Sequence, residues 1–351
     1  MFYKQLHGLR GVASLLVFIA HITAGYGIHI DDFLGNHTQI GTIQFFITNI
    51  GTFGVEIFFF LSGFFIFISS VNEEKITFFS RRFFRLYPLF FCLSILYILG
   101  IFFGFETSNI HNFQIIDIIY ALLFINVFFD TPSLTPNSWS IAYEIWYYFC
   151  TYYLVDFIIK KRPNYFGFLI AVCILFWFVI QKPITIYFLL GAIVAFNLNF
   201  FKYLIDYFNF YLINFISLSA LFYLLYLVSI GIEFRGNGWF KTIGYFDLAL
   251  PFLLSIFFVS LLSKSNILNV FLSTKILAFF GTISYSLYLL HPYTYLFVRK
   301  LIEIFHFDTN FFTFILFLLF TSIFTFFISF FSYKYFEVMI YKYFTNKKIY
   351  D

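Results

Sequence analysis

Long apolar runs recur along almost the whole chain, and they restrict its fold more than any other feature. Ten of them lie near the length of about 20 residues that crosses the hydrocarbon core of a bilayer as an α-helix. They cover residues 10–27, 51–70, 86–104, 140–159, 165–180, 184–198, 210–232, 247–263, 278–299 and 311–333. Hydrophobic residues make up 62% of the 351 residues and charged residues 11%, whereas soluble chains carry about 25% charge. A soluble fold could not bury so much apolar surface, so the sequence predicts an all-α, polytopic membrane bundle of about ten transmembrane helices.

The distribution of the basic residues predicts which segments of the bundle face the cytoplasm. With the N-terminus inside and ten crossings, sixteen Lys and Arg residues fall on inner segments and five on outer ones. Because such an excess marks the cytoplasmic side, we expect both termini to be cytoplasmic. A shorter apolar stretch, 115–128, is predicted to be a re-entrant or surface helix, since counting it as a crossing would break this charge pattern.

The sequence contains one membrane domain and no soluble domain or repeat. Residues 1–345 are predicted to form that domain, and 346–351 a short basic cytoplasmic tail. Two long connections, 28–50 and 105–139, hold no Lys or Arg and fall on the outer face. Their polar residues suit a neutral, hydroxyl-rich partner, although a simply solvated loop has the same composition. The sequence has no basic surface of the kind that binds nucleic acid, and the three cysteines lack metal-ligand spacing.

Two ionisable side chains share one face of the first apolar run. Arg10 lies at its start and His21 eleven residues further on, which places them roughly 16 Å apart along a helix. The run lacks a convincing signal-peptide cleavage site, so we interpret it as a retained helix. An ionisable group at the depth of His21 costs at least about 2.5 kcal/mol, and it is rare unless it faces a polar cavity. His21 is therefore predicted to be functional, and the alternative is a structural pair with a neighbouring helix.

Two carboxylates also interrupt apolar runs. Glu56 is predicted to lie about 8 Å below the outer end of the second helix, and Glu144 lies one to two turns into the fourth. Each of them needs a polar partner inside the bundle. Ser62 and Gly63 form a small-residue notch on the second helix, for which we favour helix packing over contact with an acyl chain.

A basic cluster opens the third helix. Arg82 and Arg85 share a helix face, with Arg81 beside them and Pro88 one turn further on. Guanidinium groups bind phosphates bidentately, so the cluster could hold the phosphates of a nucleotide-containing donor. A basic cluster beside a membrane serves equally well as an anionic-lipid anchor and topology signal.

Residues 137–148, NSWSIAYEIWYY, begin the fourth helix from the outer side. Asn137 or Ser138 is suited to cap the helix start. The segment also holds four aromatic residues that fit an interfacial belt, namely Trp139, Trp146, Tyr147 and Tyr148.

A second histidine lies deep in the ninth run. His291 is about 20 Å from the inner end, and Pro292 beside it frees a backbone carbonyl. His291 either lines the same cavity as His21 or bonds to that freed carbonyl, and we slightly favour the structural role.

Together these stretches resemble the acyltransferase-3 family of integral membrane O-acyltransferases, which modify surface polysaccharides, lipopolysaccharide and related glycans. Five segments carry the resemblance, in the order typical of the family, between residues 6 and 292. They are LHGLRGVASLLVFIAHI, GVEIFFFLSGFF, RRFFRLYP, SWSIAYE and GTISYSLYLLHP. Glu56 stands where Asp is common, which preserves the charge, and Leu290 where Trp is usual.

The resemblance implies an enzyme that takes an acyl group, in the first place acetyl, from cytoplasmic acyl-CoA and needs no metal. The acceptor would be a carbohydrate or glycolipid on the outer side of a bacterial cytoplasmic (inner) membrane. The predicted catalytic residues are His21, Glu144 and Glu56. The predicted coenzyme-binding residues are Arg10, Arg81, Arg82 and Arg85, and the predicted acceptor-binding residues are Ser138, Trp139, Ser140 and His291.

An imidazole suits the removal of a hydroxyl proton at neutral pH, so His21 is predicted to act as a base or to carry the acyl group covalently. The alternative function is a secondary transporter, because buried His, Glu and Arg residues also build proton relays. The sequence shows no Gly/Pro-broken spans in corresponding halves, which argues against a transporter.

Overall fold

The computed structural model of the protein describes residues 3–27, 43–102, 114–129, 131, 133–135, 137–231 and 245–345. Within these ranges every regular element is helical and there is no strand, which confirms the all-α prediction. The helices are α1 (Lys4–Gly25), α2 (Ile43–Asn72), α3 (Lys75–Phe102), α4 (Ile115–Leu122), α5 (Ser138–Ile158), α6 (Tyr165–Gln181), α7 (Ile186–Phe196), α8 (Leu198–Tyr207), α9 (Phe210–Ser229), α10 (Tyr245–Leu261), α11 (Leu268–Leu272), α12 (Lys275–Ile304), α13 (Phe311–Phe331) and α14 (Val338–Thr345). Short 3₁₀ turns occupy Asn126–Phe128 and Pro183–Thr185, and a π-helix, Ser332–Glu337, joins α13 to α14.

Five of the described helical stretches are long and apolar enough to cross a membrane, so the chain has the character of an integral membrane protein. They are α1, α2, α3 up to Gly100, α9 and the continuous stretch Phe311–Thr345. A sixth arises if the pair Pro183–Phe196 and Leu198–Tyr207, bent by 72°, counts as one span. Each of the ten predicted runs overlaps a helix, but α6, α7 and α10 have only 17, 11 and 17 residues. The ten crossings and the cytoplasmic termini therefore stay predictions, as does the tail 346–351, which lies outside the described residues.

The apolar stretch 115–128 forms a short helix followed by a turn. Its helix, α4, has 8 residues and is about 12 Å long, too short to cross a bilayer. Asp117 and Gln114 form a capping box at its start, which satisfies backbone N–H groups that the short helix leaves open. Ile115 and Ile119 on its surface are exposed. These features agree with a surface or re-entrant helix.

The first helix packs between α2 and α12, and glycines let α1 and α12 touch through their backbones. A Cβ atom added at Gly11 would lie 2.3 Å from the Leu277 carbonyl oxygen, and one at Gly281 2.3 Å from the His7 carbonyl oxygen. Both distances are shorter than any side chain allows, so only glycine permits this approach. The contact aligns α1 with α12 in parallel and brings residues at equivalent depths on the two helices together.

A second close approach joins α2 to α7. A Cβ atom at Gly63 would lie 2.0 Å from the Phe188 carbonyl oxygen, and one at Gly191 2.0 Å from the Phe60 carbonyl oxygen. The packing role favoured for Gly63 is thus confirmed.

The bundle has two chemically different ends. We call the end where α1 and α12 begin, which also carries Arg82 and Arg85, the basic end. The other end, toward which α1 and α12 run and where His21 meets His291, is the histidine end.

Candidate active site

The two predicted histidines form a pair. His21 on α1 is exposed, whereas His291 on α12 is completely buried. His21 Nδ1 lies 2.7 Å from His291 Nε2, and the rings stack with centroids 4.9 Å apart. The direct hydrogen bond places the two histidines side by side, and neither of them lines the two cavities described below.

The partners of His291 determine which nitrogens carry protons. His291 Nδ1 lies 2.9 Å from the Leu287 carbonyl oxygen, which only accepts, so we assign a proton to Nδ1. His291 Nε2 is then an acceptor, and it accepts from Asn137 Nδ2 at 3.2 Å and from His21 Nδ1. The proton of neutral His21 therefore sits on Nδ1, which leaves Nε2 as its basic nitrogen.

Asn137 donates a hydrogen bond to the backbone carbonyl that Pro292, which has no N–H group, leaves without a helical donor. The Tyr288 carbonyl oxygen, one helical turn before Pro292, accepts a hydrogen bond of 2.7 Å from Asn137 Nδ2. The expectation that His291 would use this carbonyl is wrong, because His291 bonds to Leu287 instead. Asn137 itself makes no capping bond to α5, since its amide points into the bundle.

Two small cavities lie between the histidine pair and the basic end. The Tyr288 cavity, about 40 Å³, is lined by Tyr288 and Ser140, and the Arg82 cavity, about 50 Å³, is lined by Arg82 and Arg85. Four residues border both cavities, namely Arg10, Phe58, Ser62 and Glu144. The two cavities are therefore neighbours, and three of the four residues between them are polar.

Glu144 lies at the junction of the two cavities. Its Oε1 accepts hydrogen bonds from Ser62 Oγ at 2.9 Å and from the Tyr148 hydroxyl at 2.6 Å. Ser62 is thus more than a packing residue, and Tyr148, like Tyr147, is buried instead of forming part of an interfacial belt. The histidine pair joins α1 to α12, whereas Glu144 on α5 borders both cavities.

The arginines differ in whether they line a cavity, although Arg82 shares Glu73 with Arg81 through an ion pair of 3.7 Å. Arg10, Arg82 and Arg85 line the Arg82 cavity, and the Arg82 guanidinium lies 4.8 Å from the centre of the Phe78 ring. Arg81 lines neither cavity. Its Nη1 lies 2.7 Å from Glu73 Oε1, and its Nε donates to the Tyr341 hydroxyl at 2.8 Å.

A carboxylate that the sequence analysis missed also belongs to this region. Glu337 in the π-helix is buried, accepts a hydrogen bond from Ser286, and interacts electrostatically with Arg85 and Arg10. π-Helices are often found at functional sites. Glu337 therefore adds a buried carboxyl group close to the arginines.

The predicted acceptor-binding residues of α5 have different surroundings. Ser138 Oγ donates to the Thr135 carbonyl oxygen at 2.9 Å, and Trp139 packs edge-on against Phe59. Ser140 lines the Tyr288 cavity, and its Oγ lies 2.7 Å from the Tyr288 hydroxyl. Tyr288 was not predicted, although its position three residues before His291 puts both on one helix face.

Glu56 lies on a different side of α2 from the residues that line the two cavities. It is buried, lines neither cavity, and interacts with the hydroxyl of Tyr187 on α7. The structure thus separates Glu56 from Glu144, and the catalytic roles of both stay predictions.

The fold and this site define a class of protein: a helical membrane protein with ionisable side chains inside its bundle. The family model for an acyltransferase domain, that of acyltransferase-3, matches residues 3–334, so the chain belongs to this family.

One curated relative is the acyltransferase MdmB of Streptomyces mycarofaciens. The two proteins are 32% identical over 167 residues, which cover 45% of this chain and 40% of MdmB. The match thus spans well under half the length of that relative. No solved structure matches the chain.

Proposed function

We propose that the protein transfers an acetyl group from cytoplasmic acetyl-CoA to a hydroxyl of a surface glycan or glycolipid on the outer side of the membrane. The observation that supports this proposal is a pair of neighbouring cavities that Arg10 and Glu144 both border, with Arg82 and Arg85 lining one of them, in a bundle that also holds the pair of His21 and His291. In this proposal the cavities belong to one polar path that leads from the arginines to the exposed imidazole of His21.

The direction of the path follows from charge. Lys and Arg residues are concentrated in the segments assigned to the inner side, so the basic end faces the cytoplasm in this proposal. Coenzyme A is available there, and the histidine end then faces outward, where surface glycans occur. A bacterial cytoplasmic membrane provides both compartments.

The arginines would hold the donor. Arg82, Arg85 and Arg10 border one cavity, and guanidinium groups bind phosphates through paired hydrogen bonds. The pantetheine arm is roughly 15 to 20 Å long, comparable with the rise of about 16 Å between Arg10 and His21. Since the cavities are small, the arm enters by displacing half-buried side chains such as Phe58 and Phe65.

His21 would act as the base. Its Nε2 takes the proton of the acceptor hydroxyl while the oxygen attacks the thioester carbonyl. The carbon–sulfur bond then breaks, the ester forms, and the imidazolium returns the proton to the sulfur of the departing coenzyme. His291 positions His21 by accepting the hydrogen bond from Nδ1, which fixes the tautomer that this step requires. In the covalent variant, Nε2 attacks the thioester carbonyl and the carbon–sulfur bond breaks, so coenzyme A leaves as the thiolate. The acceptor hydroxyl then takes the acyl group from Nε2, and its proton passes to the thiolate.

The proposal is tested with isotopically labelled acetyl-CoA and purified protein supplied with glycan from cells that carry this chain. Labelled ester should form on the glycan, with one free CoA thiol released for each ester. His21→Ala should abolish both products, whereas His306→Ala, which changes an exposed histidine between α12 and α13, should leave them unchanged. Normal transfer by His21→Ala would overturn the assignment of the base.

A further inference from the structure

We propose that Asn137 is a positioning residue for the reaction, because its amide group holds His291 in the tautomer that accepts a hydrogen bond from His21. The inference rests on the proposed function, in which His21 is the base. It gives a role to a side chain whose place in the sequence suggests only a helix cap, but whose amide lies inside the bundle.

The Asn137 amide group has an acceptor on α12 for each of its two protons. Nδ2 lies 2.7 Å from the Tyr288 carbonyl oxygen and 3.2 Å from His291 Nε2. A backbone carbonyl only accepts hydrogen bonds, so the side-chain atom that faces it is the amide nitrogen and not the amide oxygen. The second proton of the same NH₂ group is then available to His291 Nε2, which must be an unprotonated acceptor.

The opposite tautomer of His291 would lose hydrogen bonds at both of its nitrogens. A proton on Nε2 would face the Asn137 donor at 3.2 Å, and an unprotonated Nδ1 would face the Leu287 carbonyl oxygen at 2.9 Å. Such an arrangement leaves buried polar groups without partners, which costs free energy. His291 is 0% exposed, so bulk water cannot replace the lost bonds. The proton between the two histidines therefore belongs to His21 Nδ1.

Asn137 is itself fixed against α12 in two ways. Pro292 leaves the Tyr288 carbonyl without a helical donor, and this carbonyl binds the Asn137 side chain. In the other direction, the Tyr288 hydroxyl and Ser140 Oγ each lie 3.2 Å from the Asn137 carbonyl oxygen. Asn137 is also buried. Because its side chain and its backbone both contact Tyr288, the amide keeps a constant position relative to the His291 ring.

Loss of the amide would change the nitrogen that His21 uses. Without Asn137, His291 Nε2 is freer to carry a proton and to donate it to His21 Nδ1. The proton of neutral His21 would then lie on Nε2, so this atom could no longer take the proton of the acceptor hydroxyl. In a serine protease, a wrong tautomer of the catalytic histidine lowers kcat by about 10⁴-fold. The Leu287 carbonyl still favours the correct tautomer here, so the expected loss is smaller.

The first measurement is kcat for labelled acetyl transfer to glycan from cells that carry this chain. Asn137→Ala should lower kcat at least about ten-fold, with little change in KM for acetyl-CoA. In a His291→Phe background, Asn137→Ala should cause no further loss, because the ring through which Asn137 acts is absent.

Asn214→Ala is the matched control for this measurement. Asn214 on α9 is also a buried asparagine whose Nδ2 donates to two carbonyl oxygens, those of Phe210 at 2.8 Å and Ser265 at 3.1 Å. Its replacement should change kcat little, and by the same factor in wild type and in His291→Phe.

The second measurement requires no turnover. Nitrogen-15 NMR of histidine-labelled protein distinguishes neutral rings protonated on Nδ1 from those protonated on Nε2, and the His291→Phe spectrum identifies the signals of His291. Wild type and Asn214→Ala should show His291 with its proton on Nδ1. In Asn137→Ala, a population protonated on Nε2 should appear.

A wild-type His291 protonated on Nε2 would overturn the inference, and this spectrum decides even if Asn137→Ala fails to fold. Equal losses of kcat from Asn137→Ala in wild type and in His291→Phe would also overturn it, since they indicate a purely structural role. If wild type forms no labelled ester although His291 carries its proton on Nδ1, the proposed function is wrong, whereas the control of the tautomer by Asn137 is retained.

Discussion

His21 Nδ1 and His291 Nε2 lie 2.7 Å apart, and this contact joins an exposed imidazole on α1 to a buried one on α12. His291 also bonds to the Leu287 carbonyl oxygen through Nδ1 and to Asn137 through Nε2. His291 is thus a fixed acceptor against which His21 is oriented. The two histidines therefore have different roles in this account, although in the sequence each is simply a histidine within an apolar run.

Replacing His291 should therefore reduce turnover without affecting donor binding. His291→Phe fills the site but removes the acceptor for His21 Nδ1, so we expect kcat to fall roughly 10² to 10⁴-fold while KM for acetyl-CoA changes little. His291→Gln keeps an oxygen acceptor and should recover part of the loss. Steady-state kinetics of both variants provide the measurement, and a wild-type kcat in His291→Phe would refute the positioning role.

The donor site should depend on Arg82 and Arg85 but not on Arg81. The double variant Arg82→Ala with Arg85→Ala removes two cations that border the cavity, so KM for acetyl-CoA should rise at least about ten-fold. Arg81→Ala breaks a largely buried ion pair with Glu73 and should lower the free energy of unfolding by about 1 to 3 kcal/mol, with little effect on KM. If Arg81→Ala raised KM as much as the double variant, the division of the arginines would be wrong.

Ser62 and Glu144 should be energetically coupled. Ser62→Ala removes a donor to the carboxylate, and combining it with Glu144→Gln should give a double-mutant coupling of about 0.5 kcal/mol or more in thermal unfolding. Ser70→Ala is the control, because Ser70 is also buried on α2 but donates to the Phe67 carbonyl oxygen. The changes in stability caused by Ser70→Ala and Glu144→Gln should be additive. Coupling of Ser70 to Glu144 as large as that of Ser62 to Glu144 would argue against a specific bond at Ser62.

A bidentate ion pair outside the membrane-spanning helices should make the free energy of unfolding depend on pH in the acidic range. Arg162 Nη1 and Nη2 donate to the Glu74 carboxylate at 2.8 and 2.9 Å, and this bonding lowers the pKa of Glu74 below its ordinary value of 4.5. A lowered folded-state pKa stabilises the fold above the unfolded value, and this contribution disappears as the pH falls through the lowered pKa. The Glu74→Gln variant should therefore have a slightly lower melting temperature than wild type at neutral pH and the same melting temperature in strong acid. The difference is small because the ion pair is exposed. A melting difference that persists unchanged into acid would contradict this assignment.

The sequence predicted the features that depend on distance along the chain. The apolar runs predicted the helices, the spacing of Arg10 and His21 placed both on one face of α1, and the short run 115–128 gave a helix too short to cross. Other contacts depend on how helices rotate against each other, which spacing within one helix does not determine. Glu56 therefore faces Tyr187, Asn137 turns inward instead of capping, and Tyr288 joins the site without having been predicted.

The most direct test of the account uses sealed inside-out membrane vesicles from cells that carry this chain, with labelled acetyl-CoA added outside. The basic end then faces the coenzyme, and label should appear in glycan enclosed within the vesicles, with His21→Ala abolishing the incorporation. Incorporation that survives His21→Ala, or that proceeds equally well when acetyl-CoA contacts only the opposite face, would contradict the account.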